Sequence, residues 1–382
     1  MAGTGTFDDF HIGEGGLLRR LEVRCHLTKL PWQILWVILV TWVPIVSLGE
    51  LGRAGDPLTR DLGMHVRLLV AAPILLYLDL QFPKVCRRTV LQLVEQEFIP
   101  DGERPRLTRT LVAATRLADS RLPELVLAVV SIGLSVASFL RLAPFSGVAW
   151  RTVLTPTQLW YATVALPLFE FLLLRSLWRW AIWVRVLVGV ARIDLDLEPT
   201  HPDCRGGIAF LRLPAMEYCA MLLFAVASVV CATWHDRFAF GATVVSFAPL
   251  VLAFAAIGTL IAFGPLLLFV PHLERVRRAG LCDIGGMAAK LGRRFRRRWI
   301  HGDRRARGAE ADMRSDAQAL AAIGSSYRDS IYRLRTLLFD RRDLLVLTIA
   351  TAIPVVPVML AQVPREDWMK MAELIGGSFV LI

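Results

Sequence analysis

The sequence predicts an all-α, polytopic transmembrane helical bundle of about seven spans, with a cytoplasmic helical segment between spans six and seven. Three observations carry this. Over its 382 residues the chain is 55% hydrophobic and only 20% charged. Its mean hydropathy is +0.51, too apolar for an ordinary soluble domain pair. The apolar residues are also clustered, in stretches of about 18 or more nearly uncharged positions, long enough to cross roughly 30 Å of hydrocarbon at 1.5 Å per residue.

The first stretch runs from Leu30 to Gly49, behind a polar segment 1–29 that a secretory signal would not carry, so it reads as a retained span. The second, from Leu68 to Phe82, is shorter and contains Asp79. Spans three to six are read at Leu122–Leu140, Leu159–Val190, Leu213–Trp234 and Thr243–Pro271, and the seventh at Leu344–Gln362. The chain thus divides into a cytoplasmic amino-terminal segment 1–29, a bundle 30–274 with cytoplasmic loops 84–121 and 192–212, a basic cytoplasmic loop plus amphipathic helix 275–343, and a last span with a short external tail 344–382.

Orientation follows the distribution of arginine in short loops. Residues 275–307 hold eleven Arg and one Lys against two Asp, a net of +10 in a chain whose total is +11. That loop is expected in the cytoplasm, and threading back through six spans puts the amino terminus there too, in a bacterial inner membrane. Cys25, Cys86, Cys204 and Cys282 then face a reducing compartment, with Cys219 and Cys231 inside span five. The basic loop carries only Phe295 and Trp299 as interleaved aromatics, so it is read as a topology signal attracted to anionic lipid and not as a nucleic-acid surface.

Within 275–343, Met313, Ala317, Leu320, Gly324, Tyr327, Ile331, Leu334 and Leu338 recur at spacings of four and three, a narrow stripe along one helix. It fits packing against the same chain or self-association into a homo-oligomer. The loop 84–121 is expected as two amphipathic helices broken at Ile99-Pro100-Asp101-Gly102.

Ionisable side chains at membrane depth each require a partner or a wet cavity. Span four carries Glu170, Arg175, Arg179 and Arg185. Helical rise places Glu170 near the midplane and Arg175 about 7 Å above the inner boundary, at a depth similar to Asp79. An Asp79 pair with Arg175 or Arg179 is therefore expected, and Glu170, Asp79, Arg175 and Arg179 are the candidate pathway residues. Snorkelling is expected to account for Arg179 and Arg185, whereas Glu170 and Arg175 need protein partners or water. The arginine spacing of four and six is not the regular three of a voltage sensor.

The loop 192–212 gathers Asp194, Asp196, Glu198, His201 and Asp203 within ten residues. Alternation of Ile193, Leu195 and Leu197 with the acids predicts an extended strip with one apolar face. Three readings of the loop compete: a cap on the bundle through local hydrogen bonds, an acidic cytoplasmic mouth that concentrates cations, or a site where His201 acts as base with Asp203 orienting it, or both bind metal with His272 and Glu274. Pro199 and Arg205 stand where an EF-hand needs Gly and Glu.

No P-loop, Rossmann fingerprint or zinc-ribbon spacing occurs, and no cofactor or metal is expected. The four lysines, Lys29, Lys84, Lys290 and Lys370, lie outside the centres of the spans, which excludes a retinal Schiff base. The first functional expectation is an oligomeric channel or transporter for an ion or small solute. A membrane-embedded enzyme at His201/Asp203 and a non-catalytic sensor or assembly subunit are the alternatives, discriminated by a wet path past Glu170, a pocket over His201, or neither.

Overall fold

The computed structural model describes residues 29–51, 57–139, 155–238, 244–301, 317–319, 321 and 328–360. Every regular element among them is helical: α1 (Leu30–Leu51), α2 (Leu62–Val66), α3 (Ala72–Glu95), α4 (Arg104–Asp119), α5 (Arg121–Phe139), α6 (Pro156–Trp160), α7 (Leu166–Val190), α8 (Ala220–Phe238), α9 (Val244–Phe263), α10 (Val270–Phe295), α11 (Arg328–Arg333), α12 (Arg341–Ala352) and α13 (Val355–Leu360). Short 3-10 and π turns join several of these into longer rods, and six segments are long and apolar enough to cross a membrane: Leu30–Glu50, Leu62–Glu95, Arg121–Ser138, Pro156–Val190, Ala209–His235 and Phe247–Phe295. The chain is a multi-pass helical membrane protein.

These segments overlap the first six expected spans, but two extend well past the apolar runs. The second reaches Glu95 and the sixth reaches Phe295, because amphipathic and basic stretches continue the helix beyond the apolar core. The region after Pro271, expected as a loop or interfacial helix, is thus helical to Phe295. The seventh stretch forms two short helices, α12 and α13, split around Ile353 and Pro354, and its residues 361 and 362 lie outside the described part. So do most of the amino-terminal segment, Met313, Leu320, Gly324, Tyr327 and the tail.

Helix α7 is the hub, packing against α3, α4 and α5. Its buried residues Phe169, Leu172, Arg175, Arg179, Trp183, Val186 and Val190 recur at three and four, the period of a helix embedded on one side. Helix α4 buries Leu107, Leu111, Ala114 and Ala118 and leaves its arginines outward, so it lies as a polar-faced helix against α7. Where the two meet, Gly189 has no room for a side chain because Thr110 occupies it. The outer faces of α5 and α9 are apolar and exposed, including Leu122, Val129, Ile132, Leu252 and Leu260, as lipid contact requires.

Two spans are interrupted by π turns in the same sequence context. Arg67–Ala71 precedes Ala72-Pro73, and Tyr161–Ala165 precedes Leu166-Pro167. Proline lacks an N–H and its ring collides with the carbonyl four residues earlier, so widening the turn ahead of it removes the collision. The carbonyl of Ala162, five residues before Pro167, would then lack a donor, and Ser135 Oγ of α5 donates to it at 2.6 Å. A neighbouring hydroxyl thereby completes the backbone that the proline leaves open.

The Met313–Leu338 stripe is not one continuous helix. Helix α11 ends at Arg333, and Leu334 and Leu338 fall in an irregular segment before α12, which starts on an Asp340/Asp343 capping box. Ile331, Leu334 and Leu338 are buried within the chain itself, with Ile331 against α10 near Gly280 and Leu338 in the main core. This part of the stripe packs intramolecularly.

Candidate functional site

Four ionised side chains from three helices meet inside the bundle. Asp79 of α3 lies 3.1 Å from Arg175 Nε and 2.8 Å from Arg179 Nη1, both of α7, and Arg179 also donates to the Asp79 backbone carbonyl. Arg175 Nη1 stands 3.4 Å from Glu124 Oε1 at the first turn of α5. All four are buried: Asp79 at 8%, Glu124 at 6%, Arg175 at 3% and Arg179 at 5% exposed. Two carboxylates and two guanidinium groups compensate one another within this cluster. Arg175 Nε and Nη1 nevertheless lack aligned hydrogen bonds, which leaves donor capacity on the guanidinium that bridges α3 and α5.

The network forms because Arg175 and Arg179 are four residues apart on the buried face of α7, stacked one turn above the other. Ser176 and Trp180 on the same face extend it. Tyr218 donates its hydroxyl to the Ser176 carbonyl at 2.9 Å, stacks on Trp180 with ring centres 6.3 Å apart, and meets Phe82 at 3.9 Å. This aromatic group walls the ion pairs on the α8 side.

Glu170 is not part of that network. It sits beyond the π turn, within electrostatic reach of Arg67, and its Oε2 is buried with no hydrogen-bond partner. Arg67 instead donates to the Tyr161 hydroxyl and lies over the Phe169 ring at 5.6 Å and the Tyr161 ring at 6.0 Å. A carboxyl oxygen kept from water without a donor is costly while charged. The arrangement therefore leaves room for a compensating positive charge at Glu170, supplied from outside or by a shift of Arg67 towards it.

The loop after α7 follows the alternation of its sequence. Ile193, Leu195 and Leu197 are buried and Asp194, Asp196 and Glu198 are exposed, with the Asp196 amide donating to the Phe98 carbonyl at 2.9 Å. Arg275 of α10 approaches Asp194 at 3.7 Å on the surface. Asp203 is the organising residue of the following turn. Its Oδ1 accepts from the amides of Arg205 at 2.8 Å and Gly207 at 3.0 Å, and its Oδ2 accepts from Ala209 at 3.1 Å. Burial opposes ionisation of Asp203, but these three backbone donors outweigh it and hold the carboxyl below its usual range. His201 Nδ1 lies 2.9 Å from Asp203 Oδ1 and 3.3 Å from its amide nitrogen, with the imidazole edge-on to Phe98.

Positive φ at Cys204, Gly206 and Gly207 lets the chain close around that carboxylate, and a side chain on Gly207 would run into Phe98. The closed turn is then fixed to the carboxyl-terminal region. Arg205 contacts Asp340 at 2.6 Å and donates to the Leu337 carbonyl at 3.0 Å, the Cys204 carbonyl accepts from the Arg335 amide at 2.8 Å, and Arg212 contacts Asp343 at 2.6 Å.

The structure thus brings together Asp79, Arg175 and Arg179, separates Glu170 from them, and puts His201 and Asp203 in one turn. Among the described residues, no group of three or more His, Cys, Asp and Glu is arranged to hold a metal, and His272 and Glu274 do not join His201 and Asp203 in one. Sequence reasoning missed Glu124, because Arg121 three residues before it makes it read as a boundary residue. It also missed Arg67, Arg205, Arg212, Asp340 and Asp343. For Asp340 a signal existed, since Asp-x-x-Asp before an apolar run is a helix start. No family model, curated protein or solved structure matches the chain.

Proposed function

We propose that this protein moves a small cation or a proton-coupled solute across the membrane, with Glu170 as the group that binds and releases the charge. The observation that carries the reading is the buried, partnerless Oε2 of Glu170 inside a span, beside an Arg67 engaged with Tyr161. The compensated Asp79, Glu124, Arg175 and Arg179 set supports it as the fixed part of the route, able to flank a charge without adding a net one. Exposed Asp194, Asp196 and Glu198 suit a mouth that raises local cation concentration. In this reading the α4 side of the protein is cytoplasmic and the carboxyl terminus external, and the protein works as a homo-oligomer in a bacterial inner membrane with anionic lipid at its basic face.

The test is flux in proteoliposomes under imposed proton and alkali-cation gradients. Wild-type protein is expected to dissipate at least one of them, and Glu170→Gln to slow that flux tenfold or more while folding normally. Neutralising Asp194, Asp196 and Glu198 together should slow it mainly at low salt, where screening is weak. Undiminished flux in folded Glu170→Gln, or no flux of any tested ion in the wild type, overturns the reading.

A second reading, an enzyme at the membrane surface, draws on the 2.9 Å approach of His201 to Asp203, the geometry of an oriented base. It is weaker because Asp203 also closes its own turn through three amides. His201→Ala distinguishes the two: flux is unchanged under the transport reading, whereas any turnover at this site is lost.

A further inference from the structure

A cleft of about 340 Å³ opens between α3 and the start of the Ala209–His235 rod. The Leu62–Glu95 and Ala209–His235 rods run antiparallel, since Gly63 abuts Thr233 at one end and Phe82 meets Tyr218 nearer the other. Its α3 wall presents Tyr77, Gln81 and Val85, spaced by four along one face, and its other wall presents Pro214, Glu217 and Met221. The aromatic group of Phe82 and Tyr218 forms the floor and separates the cleft from the Asp79 network.

The polar groups of this cleft are unusual for a membrane surface. Glu217 is exposed near the start of a segment long and apolar enough to cross a membrane, and neither Glu217, Gln81 nor Tyr77 has a hydrogen-bond or ion-pair partner among the described residues. A carboxylate at the margin of a span is stabilised when something else neutralises it. Here the surroundings specify what. Carboxylate and amide oxygens accept hydrogen bonds, and the partly exposed Tyr77 ring attracts a cation by its quadrupole. Met216, Met221, Leu78 and Val85 make the remaining wall apolar and adaptable. The volume falls in the usual range for a small-molecule site.

We propose that this cleft binds an amphiphile with an ammonium head and an apolar body, the head on Glu217 and Gln81 and the body along Tyr77 and Met221. The proposal does not rest on transport through Glu170, which lies elsewhere in the bundle. Two sources carry this chemistry, a free lipophilic ammonium compound and a membrane lipid with an amine head group.

The probe is decylammonium, with decanol as its uncharged counterpart, added to the full chain in phosphatidylglycerol nanodiscs and followed by calorimetry. Wild-type protein should bind the ammonium compound at least tenfold more tightly than Glu217→Gln, while decanol binds both alike. Met221→Trp, which fills the cleft without touching the carboxylate, should weaken both ligands. Adding phosphatidylethanolamine should compete if the natural occupant is an aminolipid and leave binding unchanged if it is a free cation, and either result keeps the site. Equal ammonium affinity in wild type, Glu217→Gln and Met221→Trp would overturn it.

Discussion

Arg205 Nη2 lies 2.6 Å from Asp340 Oδ2, and through this contact the turn that follows α7 is held to the segment that precedes α12. Asp340 accepts from Arg335 as well, and burial of its carboxyl is outweighed by these two arginines, so it stays ionised below the usual carboxylate range. Arg205 is buried and Asp340 partly exposed, which places the pair between surface and core ion pairs in worth. Asp340→Asn is expected to cost about 1–2 kcal/mol and Arg205→Ala about 2–3 kcal/mol, since the latter also removes the donor to Leu337. Thermal unfolding of both singles and the double should show clear non-additivity. Additive effects would mean that the two residues act separately.

Inside the bundle the stakes are higher because all four charges are buried. Asp79→Asn leaves Arg175 and Arg179 with one carboxylate between them and should destabilise by about 3–5 kcal/mol. Combining it with Arg179→Gln should cost less than the sum, and the same holds for Glu124→Gln with Arg175→Gln. Unfolding in detergent measures both cycles, and strict additivity in the first would remove Asp79 as the shared partner.

Much of this architecture is legible in the sequence. Spans appear as apolar runs because a helix in lipid must be apolar over a fixed length, and helical rise alone put Asp79 level with Arg175. The 192–212 strip was legible for a similar reason, since its period of two survives unchanged from Ile193 to Glu198. The failures share a different cause. Arg205 and Asp340 are joined by tertiary packing that no local period reports, and the 313–338 stripe continued on paper through Leu334 and Leu338 because a broken chain can still bury residues at helical spacing. Glu170 is grouped with Asp79, Arg175 and Arg179 as one candidate pathway because all four lie within the spans, yet depth does not give the direction in which a side chain leaves its helix.

Acid should loosen the 192–212 turn in a defined window. The folded Asp203 carboxyl titrates below its unfolded value, which is about 3.9, so its contribution is complete above that value and disappears as pH falls through the folded one. Asp203→Asn should therefore be less stable than wild type at neutral pH, with the gap closing under strongly acid conditions. A difference independent of pH would assign the effect to lost hydrogen bonds alone.

Glycine substitutions separate crowded from open backbone. Gly207→Ala meets the Phe98 ring at a φ of 96° and should destabilise by about 2 kcal/mol or more. Gly285→Ala and Gly286→Ala lie in α10 with nothing near the added carbon, and each should stabilise by about 0.5–1 kcal/mol through helix propensity. Opposite signs in thermal melts check both environments at once.

Orientation has a native reporter. Cys282 is an exposed thiol on α10, beyond the apolar part of the sixth span, while Cys86 and Cys219 are buried. In right-side-out vesicles a membrane-impermeant maleimide should leave Cys282 unmodified until the membrane is permeabilised. Immediate labelling would invert the orientation proposed here.

The π turns ahead of Pro73 and Pro167 have a geometric effect beyond sparing those prolines. Each accommodates about one residue more than a regular α turn, and one residue is worth about 100° of azimuth around the helix axis. Asp79 lies downstream of the first turn and Arg175 downstream of the second. The compass bearing on which the acid and its arginines find each other is thus set, on both rods, by where the winding slips. Ironing out either turn would leave the composition of its span intact and swing the charge round the rod, away from its partner.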